Sequence, residues 1–235
     1  MVMRDRLVLF DIDGTLVDTG GAGLAALRRA ARQLHGGDGP ALNLAGATDS
    51  ALAREVLAHF EVQVSEVELR RFYESYLYYL DEHLGSGAYA GLVFEGVREL
   101  LEALREAGAT MGLLTGNLAR GAEIKMTHFG LAEYFGFGAF GDDHHDRNEL
   151  GRVALARAEA ASGVAFAGRA TVVVGDTPRD VDCGRAIGAV TLGVATGRFS
   201  AAELASYGAD MVAENFGEVA GILEDLRAVF RRNGV

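Results

Sequence analysis

The chain has 235 residues, 49% hydrophobic and 23% charged, which supplies a packed core and argues against disorder. Its 22 basic and 33 acidic residues leave a formal charge of −11; this disfavours nucleic-acid and anionic-membrane binding, yet a local cation still allows a small anionic substrate. The single cysteine, Cys183, excludes an intrachain disulfide or a thiolate zinc cluster, and fits a reducing, cytoplasmic setting.

No run approaches the ~18 apolar residues of a membrane helix, and the N-terminal residues lack the apolar stretch of a signal peptide. The first apolar run, Leu7 to Phe10, ends at Asp11. From about Val17 to Leu92 no stretch suits a strand; helical patterns cover 20–35, 48–60 and 65–84. The last carries Phe72, Tyr73, Tyr76, Leu77, Tyr79 and Leu80, whose helical spacing reads as core packing. Val97, Leu100, Leu101 and Leu104 form the apolar face of a further helix, stopped at Gly108. Apolar runs then follow at Thr110–Leu114, ending at Thr115, and, more weakly, at Phe135–Phe140, ending at Gly141-Asp142-Asp143. Thr171–Val174 ends at Gly175-Asp176, and Val190–Val194 ends at Ala195-Thr196-Gly197.

Short continuous apolar runs between helical stretches predict strands buried on both faces. The order is β-α-β-α, hence an α/β protein with a doubly wound, Rossmann-like parallel sheet. The helical stretch after the first strand reads as an insertion. In such sheets the working residues lie just past the carboxyl ends of the strands. Those positions hold Asp11, Asp13, Thr115, the 142–147 loop and Asp176.

Three motifs occupy them. In Asp11-Ile12-Asp13-Gly14-Thr15 two carboxylates face one site if the chain turns, as Gly14 permits. In Gly175-Asp176-Thr177-Pro178-Arg179-Asp180, Pro178 suits a first helical turn, and Asp180 shares a helix face with Asp176. Carboxylates this close repel unless a cation neutralises them, and hard oxygen donors without Cys or His favour Mg2+. Thr115-Gly116-Asn117 offers a hydroxyl and backbone amides to an anionic oxygen, or a plain helix cap. The two histidines of Asp142-Asp143-His144-His145-Asp146 diverge, so the run reads as a solvent loop; Cys183 reads as a small buried hydrophobe.

In order and spacing these motifs resemble the phosphatase branch of the haloacid dehalogenase superfamily over essentially the whole chain. The insertion looks like that family's helical cap, which gives a core of residues 1–16 and 93–235 and a cap of 17–92, with hinges near Val17–Gly21 and Ala88–Leu92. The tail Ala195–Ser200 and Tyr207-Gly208-Ala209-Asp210 is similar to the branch of phosphoglycolate and related sugar-phosphate phosphatases. The resemblance implies that Asp11 is the nucleophile and Asp13 the general acid and base. It implies that Asp11, the Asp13 carbonyl and Asp176 hold Mg2+, that Asp180 supports that shell, and that Thr115, Gly116 and Asn117 bind phosphate. An acid at position 13 favours phosphate chemistry over dehalogenation, because halide leaves without a proton. Thr48, in the cap loop Ala45–Asp49, is a candidate substrate contact or a helix N-cap.

The family also places a lysine before the last aspartate motif. The only lysine here, Lys125, falls too early and reads as a solvated helix residue. Arg147 takes the position, with Arg152 as the alternative. The expected activity is hydrolysis of a small phosphorylated metabolite, phosphoglycolate among the candidates. A β-phosphoglucomutase-like mutase shares both aspartates, and a non-catalytic binding protein is the reading from another class.

Overall fold

The computed structural model describes residues 3–232. Six parallel strands form the main sheet: β1 (Leu7–Phe10), β4 (Thr110–Leu114), β5 (Gly138–Ala139), β6 (Thr171–Gly175), β7 (Val190–Val194) and β8 (Met211–Ala213). Their order is β5-β4-β1-β6-β7-β8. From β1 the chain winds outward to β5, crosses back to β6 and winds the other way, so the direction reverses at β1. That reversal leaves a crevice at the carboxyl ends of β4, β1 and β6.

Register carries the two-residue period into two cores. Val8 pairs with Met111 and Val172, and Phe10 with Leu113 and Val174; these side chains share one apolar cluster. Leu7 and Leu9 point to the opposite face, against Leu150, Ala154 and Ala158. The first cluster packs against α4 (Val97–Ala107) and α9 (Val219–Arg232), the second against α6 (Arg147–Ser162) and α7 (Pro178–Ala186). Burial on both faces explains why the runs are continuous rather than alternating.

The fifth run is shorter than its sequence suggests. Only Gly138 and Ala139 pair with β4, preceded by a 3-10 turn at Ala132–Tyr134. Phe135 leaves the sheet edge to pack edge-on against Phe10, their centroids 6.0 Å apart. The stretch from Val17 to Leu92 is also not free of strand. β2 (Val17–Asp18) pairs antiparallel with β3 (Leu92–Val93), tying both ends of the helical insertion together.

Within the insertion lie α1 (Ala22–His35), α2 (Asp49–His59) and α3 (Glu66–Gly85). Ser65 caps α3 by accepting from the Glu68 amide. Phe72, Tyr76 and Leu80 of α3 are buried, as the stripe predicts, and burying each such apolar side chain contributes roughly 2 kcal/mol. The insertion rests on α5 (Ala119–His128) and on the tips of the sheet. Among the described residues no helix is long and apolar enough to cross a membrane.

Candidate active site

Asp11 stands one residue past β1, its amide held by the Val174 carbonyl at 3.0 Å. The chain then turns tightly: the Leu16 and Val17 amides return to the Ile12 carbonyl, and Gly14 adopts φ +81°. A side chain at Gly14 would meet Asp176 Oδ2 at 2.5 Å, so glycine is required for the approach as well as the turn. Thr15 Oγ1 donates to Asp176 Oδ1 at 3.1 Å. Asp176 therefore fits into the first motif's turn across 161 positions of sequence.

Asp180 is the third residue of α7 and closes its first turn. Its Oδ2 accepts from the Thr177 amide at 3.0 Å and the Thr177 hydroxyl at 2.6 Å. Carboxylate oxygens of Asp11, Asp176 and Asp180 all lie within 4.8 Å of one another, and all three side chains are buried. Burial, opposed by Arg147 and aided by the Asp180 charge, raises Asp11 to about 6. Burial, with Asp180 and Asp11, raises Asp176 to about 8. A cluster of hard, buried, mutually repelling oxygens suits a divalent cation that removes the repulsion.

Arg147 enters from the first turn of α6, 7% exposed. Its guanidinium lies 2.9 Å from Asp11 Oδ1, bonds Asp180 Oδ1, and reaches the Leu114 carbonyl at 3.4 Å. Nε of Arg147 is buried without a partner, a donor left for an anion. Burial works against the guanidinium charge, but Asp180 and Asp11 more than offset it and hold it protonated. Arg152, the alternative, is exposed and pairs with Glu149. Arg147 is thus the one of the two that reaches the site.

Thr115 is fully buried, its hydroxyl oxygen accepting from Asn117 Nδ2 at 2.8 Å. Asn117 Nδ2 also donates to Asp13 Oδ2 at 2.8 Å. Gly116 takes the insertion against it: its carbonyl accepts from the Asp49 amide at 2.7 Å, and a Cβ there would lie 2.2 Å from the Ala47 carbonyl oxygen.

One residue departs from its sequence reading. Lys125 is not solvated: it is 3% exposed, with Nζ 2.6 and 2.8 Å from the two Asp13 carboxylate oxygens and 2.5 Å from Asn117 Oδ1. The reason lies in its helical register. Leu118, Ala122 and Lys125 follow an i, i+4, i+7 spacing, so the lysine sits on the buried face of α5. Its charge, unpaired in that core, would be costly; Asp13 supplies the counter-ion.

Asp49, which the sequence offers with Thr48 as an N-cap or substrate contact of the cap loop, is the first residue of α2 and is buried. Its Oδ2 accepts from the Leu118 amide at 2.9 Å, and burial raises it to about 6. Thr48 instead caps α2, accepting from the Ala51 amide at 3.2 Å and donating to the His145 carbonyl at 3.2 Å. Its neighbours Ala47 and Asp49, rather than Thr48, line a cavity of about 280 Å3 beside Asp13. Asp142 takes the Ala119 amide at 3.0 Å, while His144 and His145, rather than diverging, stack on each other in the exposed loop. Cys183 is buried, and burial pushes its thiol up to about 11.

A Rossmann-like sheet bearing this aspartate constellation defines a class of hydrolase, and comparison with known proteins narrows it. The chain belongs to the haloacid dehalogenase-like hydrolase family, whose model matches residues 8–194. It is 30% identical to N-acetylmuramic acid 6-phosphate phosphatase of Pseudomonas aeruginosa over 94% of this chain and 96% of that one. It is 27% identical to phosphoglycolate phosphatase of Agrobacterium fabrum over 81% of each. The fold superposes on the crystal structure of β-phosphoglucomutase from Clostridium difficile with a TM-score of 0.73 at 16% identity, covering 97% of this chain and 98% of that one.

Proposed function

We propose that the protein is a Mg2+-dependent phosphomonoesterase that hydrolyses small phosphorylated metabolites through an aspartyl-phosphate on Asp11. The observation that carries this reading is the meeting of Asp11, Asp176 and Asp180 within 4.8 Å, with Arg147 against Asp11 and Asp180. Relatives named as phosphatases over nearly the whole chain support it.

In this reading an Asp11 carboxylate oxygen attacks phosphorus as the ester oxygen departs. Arg147 favours the ionised nucleophile and meets the incoming phosphate charge. The Thr115 hydroxyl and the backbone at Gly116 and Asn117 hold phosphate oxygens. Asp13 gives its proton to the leaving oxygen, then takes one from the water that releases phosphate from Asp11. Asp11, the Asp13 carbonyl and Asp176 would hold Mg2+, with Asp180 orienting that shell. When bound, the ion supplies the positive charge that lets an anionic nucleophile approach an anionic phosphate. Residues 17–92 act as a cap that excludes water during the reaction.

The test is phosphate release from p-nitrophenyl phosphate. Turnover should need Mg2+, stop with EDTA and vanish in Asp11→Asn. Full activity of that variant would overturn the covalent route. Incubation with a hexose 1-phosphate should give free phosphate; an isomeric hexose phosphate would favour the mutase instead.

A further inference from the structure

The leaving group of the ester must lie beside Asp13, and Asp13 opens onto the 280 Å3 cavity between the insertion and the sheet. At ~30 Å3 per water this is space for about nine waters, more than a two-carbon acid needs. We infer that this cavity selects an uncharged, hydroxylated, sugar-like leaving group and disfavours one that bears a second anion. The inference rests on the phosphatase reading above.

The charges on the cavity wall carry the argument. Among the described residues that line it, Lys125 is the only base. An ammonium has three N–H donors, and Lys125 Nζ already meets both Asp13 oxygens and Asn117 Oδ1. Two further carboxylates line the same cavity, Asp18 and Asp49. With Asp13 holding the proton it gives to the leaving oxygen, Asp18 and Asp49 against Lys125 leave the wall a formal charge of −1. The N-terminus of α1 adds partial positive charge at Gly21, but Asp18 stands beside it and takes the Gly20 amide at 2.8 Å. The remaining wall is largely apolar, with Leu24 and Leu27 from α1 and Leu52 from α2.

A carboxylate or second phosphate entering here would lose its water without gaining a cation, and would face Asp18 and Asp49. Hydroxyls behave differently. Asp49 keeps acceptor capacity beyond the Leu118 amide and the Tyr76 hydroxyl, since a carboxylate takes up to about four hydrogen bonds. The leucines suit the C–H faces of a sugar. Phosphoglycolate and N-acetylmuramic acid 6-phosphate each carry a carboxylate besides the phosphate, and although both stand in the names of relatives, both should be poor substrates here.

Matched pairs test this, each exchanging a CH2OH group for a carboxylate on the same open chain: glucitol 6-phosphate against 6-phosphogluconate, and 2-hydroxyethyl phosphate against phosphoglycolate. With Mg2+ present, kcat/KM should favour the neutral member at least about tenfold in each pair. Equal rates, or preference for the anionic member, would overturn the inference. Asp18→Asn and Asp49→Asn should each narrow the gap at least about threefold. Asp18 is exposed, so its variant keeps the test open should Asp49→Asn fold poorly. An unchanged gap in both folded variants would equally overturn it. Hydrolysis of p-nitrophenyl phosphate with an anionic preference defeats this inference alone. No hydrolysis of any ester defeats the phosphatase reading and this inference with it.

Discussion

Lys125 Nζ lies 2.6 Å from Asp13 Oδ2, joining α5 to the turn after β1 across 112 positions of sequence. Lys125 is buried, but the Asp13 side chain is 43% exposed. The ion pair therefore holds Asp13 more than it holds the fold. Lys125→Met should leave unfolding free energy within about 1 kcal/mol of the parent, because the freed carboxylate can hydrate. Turnover of p-nitrophenyl phosphate should fall about 10- to 100-fold, as the acid and base proposed at Asp13 loses its positioning partner. Urea unfolding and steady-state rates check this; loss of stability with unchanged turnover per folded molecule would contradict it.

Arg147 presents the opposite balance. Its side chain is 7% exposed and so is that of Asp11, while Asp180 is 4% exposed. Removing the guanidinium leaves buried carboxylates facing one another. Arg147→Ala should cost about 3–5 kcal/mol in the absence of Mg2+. Thermal melts with and without Mg2+ should show a larger stabilisation by the ion in the variant than in the parent. Arg147→Lys should recover much of the stability and less of the activity, since one nitrogen, Nη2, meets both Asp11 and Asp180 and an ammonium can replace it, whereas the unpartnered Nε donor has no counterpart in lysine.

Much of this site is legible in the sequence, and the exceptions have one cause. Asp11, Asp176 and Thr115 stand immediately after continuous apolar runs, and local chain geometry fixes what lies past a strand end. Arg147 comes from the family resemblance, which sets a basic residue before the last aspartate motif; the fold places it as the first residue of α6. Lys125 and Asp49 depend on how one helix rolls against another, which no local pattern states for Asp49. For Lys125 a signal existed: the only lysine of the chain falls on the apolar register of Leu118 and Ala122. The β2–β3 ribbon is only two residues long on each side, too short for any periodicity. The fifth run exceeds its strand because Phe135 and Phe140 are apolar for packing rather than for pairing.

The burial of Asp49 predicts a pH-dependent stability. Its folded-state value of about 6 lies above the ordinary 3.8. The folded protein therefore holds this proton more tightly than the unfolded chain, and stability falls as pH rises between those values. Above the folded value the penalty is complete, at most about 3 kcal/mol at ~1.4 kcal/mol per pH unit. Asp49→Asn should match the parent below about pH 4 and be more stable by about 1–3 kcal/mol at pH 8. Urea unfolding at both pH values measures it; a variant less stable than the parent at pH 8 would show that the lost attraction to the Lys125 charge and the hydrogen bonds from Leu118 and Tyr76 outweigh burial.

The loop after β7 offers a way to move one carboxylate without changing it. Gly197 lies against Asp176, so that a Cβ built there would fall 1.8 Å from Asp176 Oδ2. Thr196 Oγ1 fixes the same loop to the Gly14 carbonyl at 2.6 Å, on the turn that cradles Asp176 from the other side. Neither wall can yield easily, so Gly197→Ala should displace the carboxylate rather than the backbone. The apparent Mg2+ affinity in activity titrations should weaken at least about tenfold, the scale found when a metal ligand loses its supporting contacts. Stability should fall by about 1–3 kcal/mol, because the displaced carboxylate also loses the hydrogen bond from Thr15. If Mg2+ dependence were unchanged in a folded Gly197→Ala protein, Asp176 would not hold the ion, and the remaining oxygens of Asp11 and Asp180 would have to do so.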